Sequence, residues 1–169
     1  MQTTARPTRQ TPKVSWLAGL LLSLFLLLAV APAAVAAGPV TASGTVVQAS
    51  FQVTSSRSAD GVTILDYAET DLLSGAFSGT SSVTGTCVVR VSGLAECHAF
   101  ETFTGAVNGV SGTMRFVDAI QLDTVSNSFS GSFASIGGGT GGLANAHANG
   151  TFQGANGAGT YTSKVVVAP

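Results

Sequence analysis

From Gly44 onward, apolar and polar residues alternate in short runs separated by Gly, Ser, Asn and Thr. Thr45, Val47, Ala49, Phe51 and Val53 interleave with Gly44, Val46, Gln48, Ser50, Gln52 and Thr54. That is a period of two with one mainly apolar face, which predicts a half-buried strand. The same reasoning predicts strands at Val62–Glu69, Gly75–Thr84, Thr86–Val91, Cys97–Val107, Val110–Leu122, Ser128–Ser135, Asn149–Gln153 and Gly159–Val167. No window has helical periodicity with caps at both ends, and Gly142–Asn149 has room for one helical turn at most. Short strands joined by turn signals predict an all-β sandwich or a closed antiparallel barrel.

One hairpin can be registered from the sequence. Asn108-Gly109 is the strongest two-residue turn signal, so Val107 faces Val110. Counting back, Phe103 faces Met114, Glu101 faces Phe116 and Ala99 faces Asp118. A second hairpin turns near Ser92-Gly93, with Cys87 and Cys97 equidistant from Ser92. A bridge between them closes a short local loop, worth roughly 2–3 kcal/mol in the chain-entropy model.

The N-terminal segment has a different pattern. Arg6, Arg9 and Lys13 precede Val14–Val30, which is apolar apart from Ser15 and Ser23, and Ala34-Val35-Ala36 follows. Basic head, apolar middle and A-x-A end predict a secretory signal peptide over residues 1–36, cut after Ala36. The alternative is an uncleaved membrane anchor, since the apolar run just reaches spanning length. Residues 37–169 then form a single domain, and the expected location is secreted, by bacterial export. In an exported chain a cysteine pair is expected to be bridged, which supports a Cys87–Cys97 disulfide.

Composition narrows the partners. Beyond the signal, Arg57, Arg90, Arg115 and Lys164 stand against eight carboxylates, a formal charge of −4. Four scattered cations make no phosphate-binding stripe, so neither nucleic acid nor an anionic membrane surface is an expected partner. No metal site or cofactor is expected. Gly137–Gly142 lacks a following lysine and helix, so it reads as a flexible connection rather than a phosphate loop. Asp66, Glu69 and Asp71 lack the loop spacing of a calcium hand and read as a solvated strand end.

The stretch Glu101-Thr-Phe-Thr-Gly-Ala-Val-Asn-Gly-Val-Ser-Gly-Thr-Met114 joins an aromatic-threonine-glycine strand to a polar-glycine turn and Ser-Gly-Thr. Gly138-Gly-Thr-Gly-Gly-Leu143, Asn149-Gly-Thr-Phe152 and Gly159-Thr-Tyr161 repeat the theme. Together they resemble an uncharacterised bacterial secreted domain family with an allene oxide cyclase-like barrel, in the superfamily shared with dirigent proteins. The resemblance implies a small antiparallel eight-stranded β-barrel, lipocalin-like in having a central cavity. It implies no activity and carries over no active-site residue.

In the Asn108-Gly109 register, Ala99, Phe103, Met114, Phe116 and Ile120 share one face, taken as the interior. Glu101 and Asp118 lie on that face, and an acid among phenylalanines would have a raised pKa, as a general acid needs. Glu101 and Asp118 are therefore the catalytic candidates, and Phe103, Met114 and Phe116 the cavity candidates. The competing expectation puts both acids at the barrel mouth. His98 and His147 read as surface or loop residues, and no Gly-x-Ser-x-Gly elbow is present. The expected function is a non-enzymatic binder of a small apolar ligand, or a scaffold. The alternative is a cyclase- or isomerase-type enzyme acting on a lipid-like or phenolic intermediate.

Overall fold

The computed structural model describes residues 38–167. The expected signal peptide and its cleavage point lie outside the described residues. The described residues form nine antiparallel strands: β1 Val40–Ala59, β2 Val62–Gly75, β3 Phe77–Arg90, β4 Leu94–Val107, β5 Val110–Asp123, β6 Ser128–Ser135, β7 Thr140–Gly141, β8 His147–Ala155 and β9 Ala158–Val166. Neighbours run in the order β4-β3-β2-β1-β9-β8-β6-β5, and β4 pairs with β5, so the sheet closes into a ring. The two-residue β7 pairs only with Gly112 and Thr113 of β5. Closure removes most of the unpaired strand edge that would otherwise invite aggregation.

Three hairpins have two-residue turns whose first residue is Asp or Asn and whose second is Gly. Asp60-Gly61, Asn108-Gly109 and Asn156-Gly157 all have positive φ at both positions. That geometry matches the twist of the strands it joins. The β4–β5 pairing is the one expected, with Val107 opposite Val110, Phe103 opposite Met114, Glu101 opposite Phe116 and Ala99 opposite Asp118.

Three local expectations need correction. β1 does not keep one apolar face. Its register shifts between Gln48 and Ser50, leaving Ala49 as an extra residue. Such an insertion moves the side chains after it to the other face, here as far as a second register shift between Val53 and Ser55. Val46 and Gln48 therefore line the interior before the bulge and Phe51 after it, while Val47 is left exposed. The break expected near Gly85 is absent, and β3 runs through it. A Cβ at Gly85 would lie 2.7 Å from the Tyr67 ring, so this glycine makes room for an inward tyrosine of β2. The Gly137–Gly142 connection is not merely flexible. It carries β7 and delivers Leu143, which is fully buried.

The interior has two apolar regions. One, at the end marked by the Asn108-Gly109 turn, packs Phe77, Phe103, Val107, Met114, Phe116 and Leu143. Phe77 stands edge-on to Phe103, Phe116, Phe133 and Tyr161. The Tyr161 hydroxyl accepts the Phe77 N–H at 2.8 Å and donates to the Ser74 carbonyl at 3.1 Å, tying β9 across the interior to the β2–β3 connection. Gly44 makes this reach possible, because a Cβ there would lie 2.3 Å from that hydroxyl. The second region gathers Tyr67, Val83, Ala95, Ala99 and the two cysteines.

Cys87 faces Cys97 across the β3–β4 hairpin, and the two are disulfide-bonded with Cα atoms 4.0 Å apart. The bridge is ten residues long in sequence, so it clips one hairpin of an already closed sheet. Reduction, or the Cys87→Ala/Cys97→Ala pair, is expected to cost about 2–3 kcal/mol and lower the melting temperature without loss of the fold. Far-ultraviolet circular dichroism before and after reduction checks this. Collapse of the β signal at room temperature would show that the bridge is part of the framework.

Candidate functional site

Residues of both apolar regions line a cavity of about 530 Å³. Its walls are mainly aromatic and aliphatic, with Phe51, Leu65, Leu73, Phe116, Phe133 and Phe152 among them. Phe51 stacks on Tyr67 with ring centroids 5.3 Å apart, which extends the aromatic wall from β1 to β2. The volume falls in the range of small-molecule sites, which are typically concave, apolar and sparingly polar. Asn127 and Asn156, in the β5–β6 and β8–β9 turns, line its rim. The Asn156 N–H donates to the Asn127 carbonyl and the Gln48 N–H to the Gly157 carbonyl, so these turns are held together.

Four carboxylates project into this apolar space. Period-two alternation on β2 brings in Leu65, Tyr67, Glu69, Asp71 and Leu73 together. Glu101 enters from β4 and Asp118 from β5, on the face that the Asn108-Gly109 register specifies. None of Arg57, Arg90, Arg115 or Lys164 lines the cavity, and neither does a histidine. The exposed Arg90–Glu96 ion pair on the β3–β4 hairpin, at 3.3 Å, is not part of this lining.

The environment sets the protonation of these acids. Burial pushes the Asp118 carboxyl up to about 8, and the charges of Glu101 and Glu69 add to that. Asp71 is likewise pushed up to about 8, first by burial and then by its hydrogen bond to Glu69 and the charges around it. Glu101 is raised by burial, partly offset by the Ser81 hydroxyl that donates to it. Burial is also the main cause of the raised Tyr67 phenol. The common physical cause is desolvation of like charges with no cation to compensate them. Asp118 is 7% exposed, and its Oδ1 has no hydrogen-bond partner among the described residues. A buried polar atom without a partner is uncommon and needs an explanation.

The structure places the residues singled out from the sequence as follows. Glu101, Asp118 and Phe116 line the cavity, whereas Phe103 and Met114 are packed in the adjoining apolar region. Cys87 and Cys97 contribute their disulfide to the cavity wall. His98 is exposed, on the face opposite Cys97. His147 is exposed too, but it begins β8 rather than lying in a loop. The expected solvated strand end at Asp66, Glu69 and Asp71 divides by face. Asp66 accepts the Thr86 hydroxyl on the exposed side, while Glu69 and Asp71 face inward. Sequence reasoning missed those two acids and Tyr67. The signal was their alternation with Leu65 and Leu73, but Ile64, Ala68 and Leu72 make the opposite face of β2 equally apolar.

Among the described residues, no three His, Cys, Asp or Glu side chains converge closely enough to hold a metal ion. The cavity acids are therefore a dispersed set on three strands rather than a coordination shell.

No protein-family model matches the chain, and no curated protein matches it. Among solved structures it is similar to a protein of unknown function from the DUF3224 family of Shewanella oneidensis MR-1. The TM-score is 0.61 at 16% identity, over 78% of this chain and 98% of that one. At that identity the likeness is one of fold: a small β-rich domain of the same architecture.

Proposed function

We propose that this is an exported, non-enzymatic binder of a small apolar ligand, held in the cavity of an allene oxide cyclase-like eight-stranded barrel. The observation that carries the reading is the cavity of about 530 Å³ with its aromatic and aliphatic lining. Eight strands are enough to enclose one small ligand. The disulfide and the N-terminal basic-apolar-alanine pattern are compatible with export. A cyclase- or isomerase-type enzyme is the second reading. It is favoured by the acids at Asp71 and Asp118, whose pKa values of about 8 suit proton transfer near neutral pH.

One neutral probe, 2-tetralone in D₂O, tests both readings. Binding is expected to shift the ring resonances of Phe116, Phe133 and Phe152 saturably, with deuterium entering the ketone no faster than in buffer. Faster exchange at its enolisable carbons, lost in Asp118→Asn, would transfer the case to the enzyme. Absence of both shifts and exchange would remove the cavity reading.

A further inference from the structure

We propose that the ligand is an apolar molecule carrying one protonated amine, with its hydrocarbon part against the aromatic wall and its ammonium between Asp118 and the acids of β2 and β4. This rests on the cavity-binding reading and deepens it by assigning the chemistry of the polar end. The first observation is the asymmetry of the lining: Glu69, Asp71, Glu101 and Asp118 face the space, and among the described residues no basic side chain does. The second is independent of charge count. Asp118 is 7% exposed, lines the cavity, and has an Oδ1 with no partner among the described residues. Glu101 has Ser81 as a donor, whereas Asp118 lines the cavity with a buried Oδ1 that lacks one among the described residues.

A buried acceptor without a donor, on a side chain that lines an apolar cavity, calls for a donor that a ligand can bring once the carboxyl turns toward it. An anionic ligand would add like charge to four acids. A neutral hydroxyl would give Asp118 Oδ1 a donor but would not favour the ionised form of any of the acids. A bare inorganic cation would have to shed its water without a convergent oxygen shell, since no three ligating side chains come together among the described residues. A primary ammonium is a compact cation with three donors and needs only one or two carboxylates. Its apolar body also accounts for the phenylalanines, which an inorganic ion would leave unused.

Every titratable group facing Asp118 bears on the pH dependence. These are Tyr67, Glu69 and Asp71 on β2, Glu101 on β4 and Tyr161 on β9. The lining contributed by β1, β3, β6 and β8 carries no titrating side chain. In the empty cavity Asp71 and Asp118, both raised to about 8, hold protons at neutral pH, and burial raises Glu101 as well. A bound ammonium favours the ionised carboxylate, so binding expels protons, and affinity rises with pH up to about 8.

The test is calorimetric titration of the full chain with three matched probes: 2-(2-naphthyl)ethylamine, 2-(2-naphthyl)ethanol and 2-naphthylacetate. At pH 8.5 the amine is expected to bind at least about tenfold more tightly than the alcohol, and the acetate least. The amine's affinity should rise between pH 6 and 8.5, with protons released in proportion. The alcohol's affinity should not rise. In Asp118→Asn the amine's advantage and its pH dependence should shrink together while alcohol binding persists. Alcohol binding equal to or tighter than amine binding at every pH would overturn the amine assignment and leave the cavity reading standing. Failure of all three to bind would overturn both. Calcium chloride displacing the amine at equal concentration would overturn the assignment in favour of an inorganic cation.

Discussion

Phe77→Ala is expected to be among the most damaging single substitutions in the described chain, lowering stability by about 3–5 kcal/mol. The ring is 2% exposed and meets four aromatic partners edge-on, with centroids 5.4 Å away for both Phe103 and Tyr161. Each such contact adds to simple area burial, though not additively. Phe77 also belongs to the floor of the ligand cavity. Truncation would enlarge a space that already exists, so neighbouring side chains could not collapse to fill it, which puts the cost at the upper end. Its backbone N–H is bonded to the Tyr161 hydroxyl, so loosening the ring also loosens the tie from β9 to the start of β3. Against a typical total of about 5–15 kcal/mol, this removes a third or more. Thermal melts followed by circular dichroism should show a fall of roughly 10–20 °C. Phe100→Ala is the control: that ring is 61% exposed, so its loss should change stability by no more than about 0.5 kcal/mol. Equal effects of the two substitutions would mean that the aromatic region at this end is not the stabilising core.

How much of this was readable depends on which residues set the geometry. The Asn108-Gly109 turn fixed an entire hairpin, because a two-residue turn leaves no freedom of register. From it the inward placement of Glu101, Phe116 and Asp118 follows by counting. Asp60-Gly61 and Asn156-Gly157 carry the same signal, and reading them would have set two further hairpins. The cysteine pairing was legible for a similar reason, through its symmetry about Ser92. What could not be read was whatever depends on one residue more or less. The bulge at Ala49 reverses the inward face of β1 without any breaker residue to announce it. The same limit hid Glu69 and Asp71. The β2–β3 connection, from Gly75 to Phe77, is not a two-residue turn, and apolar residues occur on both faces of β2. Leu143 was hidden in another way. A single leucine in a glycine-alanine run carries no periodicity, yet it is fully buried at the end of the interior.

The buried acids lead to an unusual expectation for stability against pH. Most proteins weaken in acid because carboxylates that are paired when folded must be protonated. Here Asp71 and Asp118 are raised from 3.8 to about 8 on folding. Between about pH 4 and 8 the folded chain therefore holds protons that the unfolded chain has released. Unfolding releases protons across that window, so stability falls as pH rises and levels off above about 8. Each fully retained proton corresponds to about 1.4 kcal/mol per pH unit, and the two acids are coupled, so their effects do not simply add. Asp123 acts in the opposite sense, since the Val125 and Ser126 backbone N–H groups hold its carboxyl low. The melting temperature is expected to be higher at pH 5 than at pH 8.5, by roughly 10 °C for a difference of a few kcal/mol. Asp118→Asn separates this cause from others. At pH 5 the amide replaces a protonated acid of nearly the same shape, so little should change. At pH 8.5 it removes a desolvated charge beside Glu101, so the variant should melt above the parent and its pH profile should flatten. A parent profile that is flat or rises from pH 5 to 8.5, or a variant less stable than the parent at pH 8.5, would show that these acids are neutralised in some other way. If the variant gains stability while losing its preference for the amine probe, then Asp118 is kept at a cost to stability for the sake of the site.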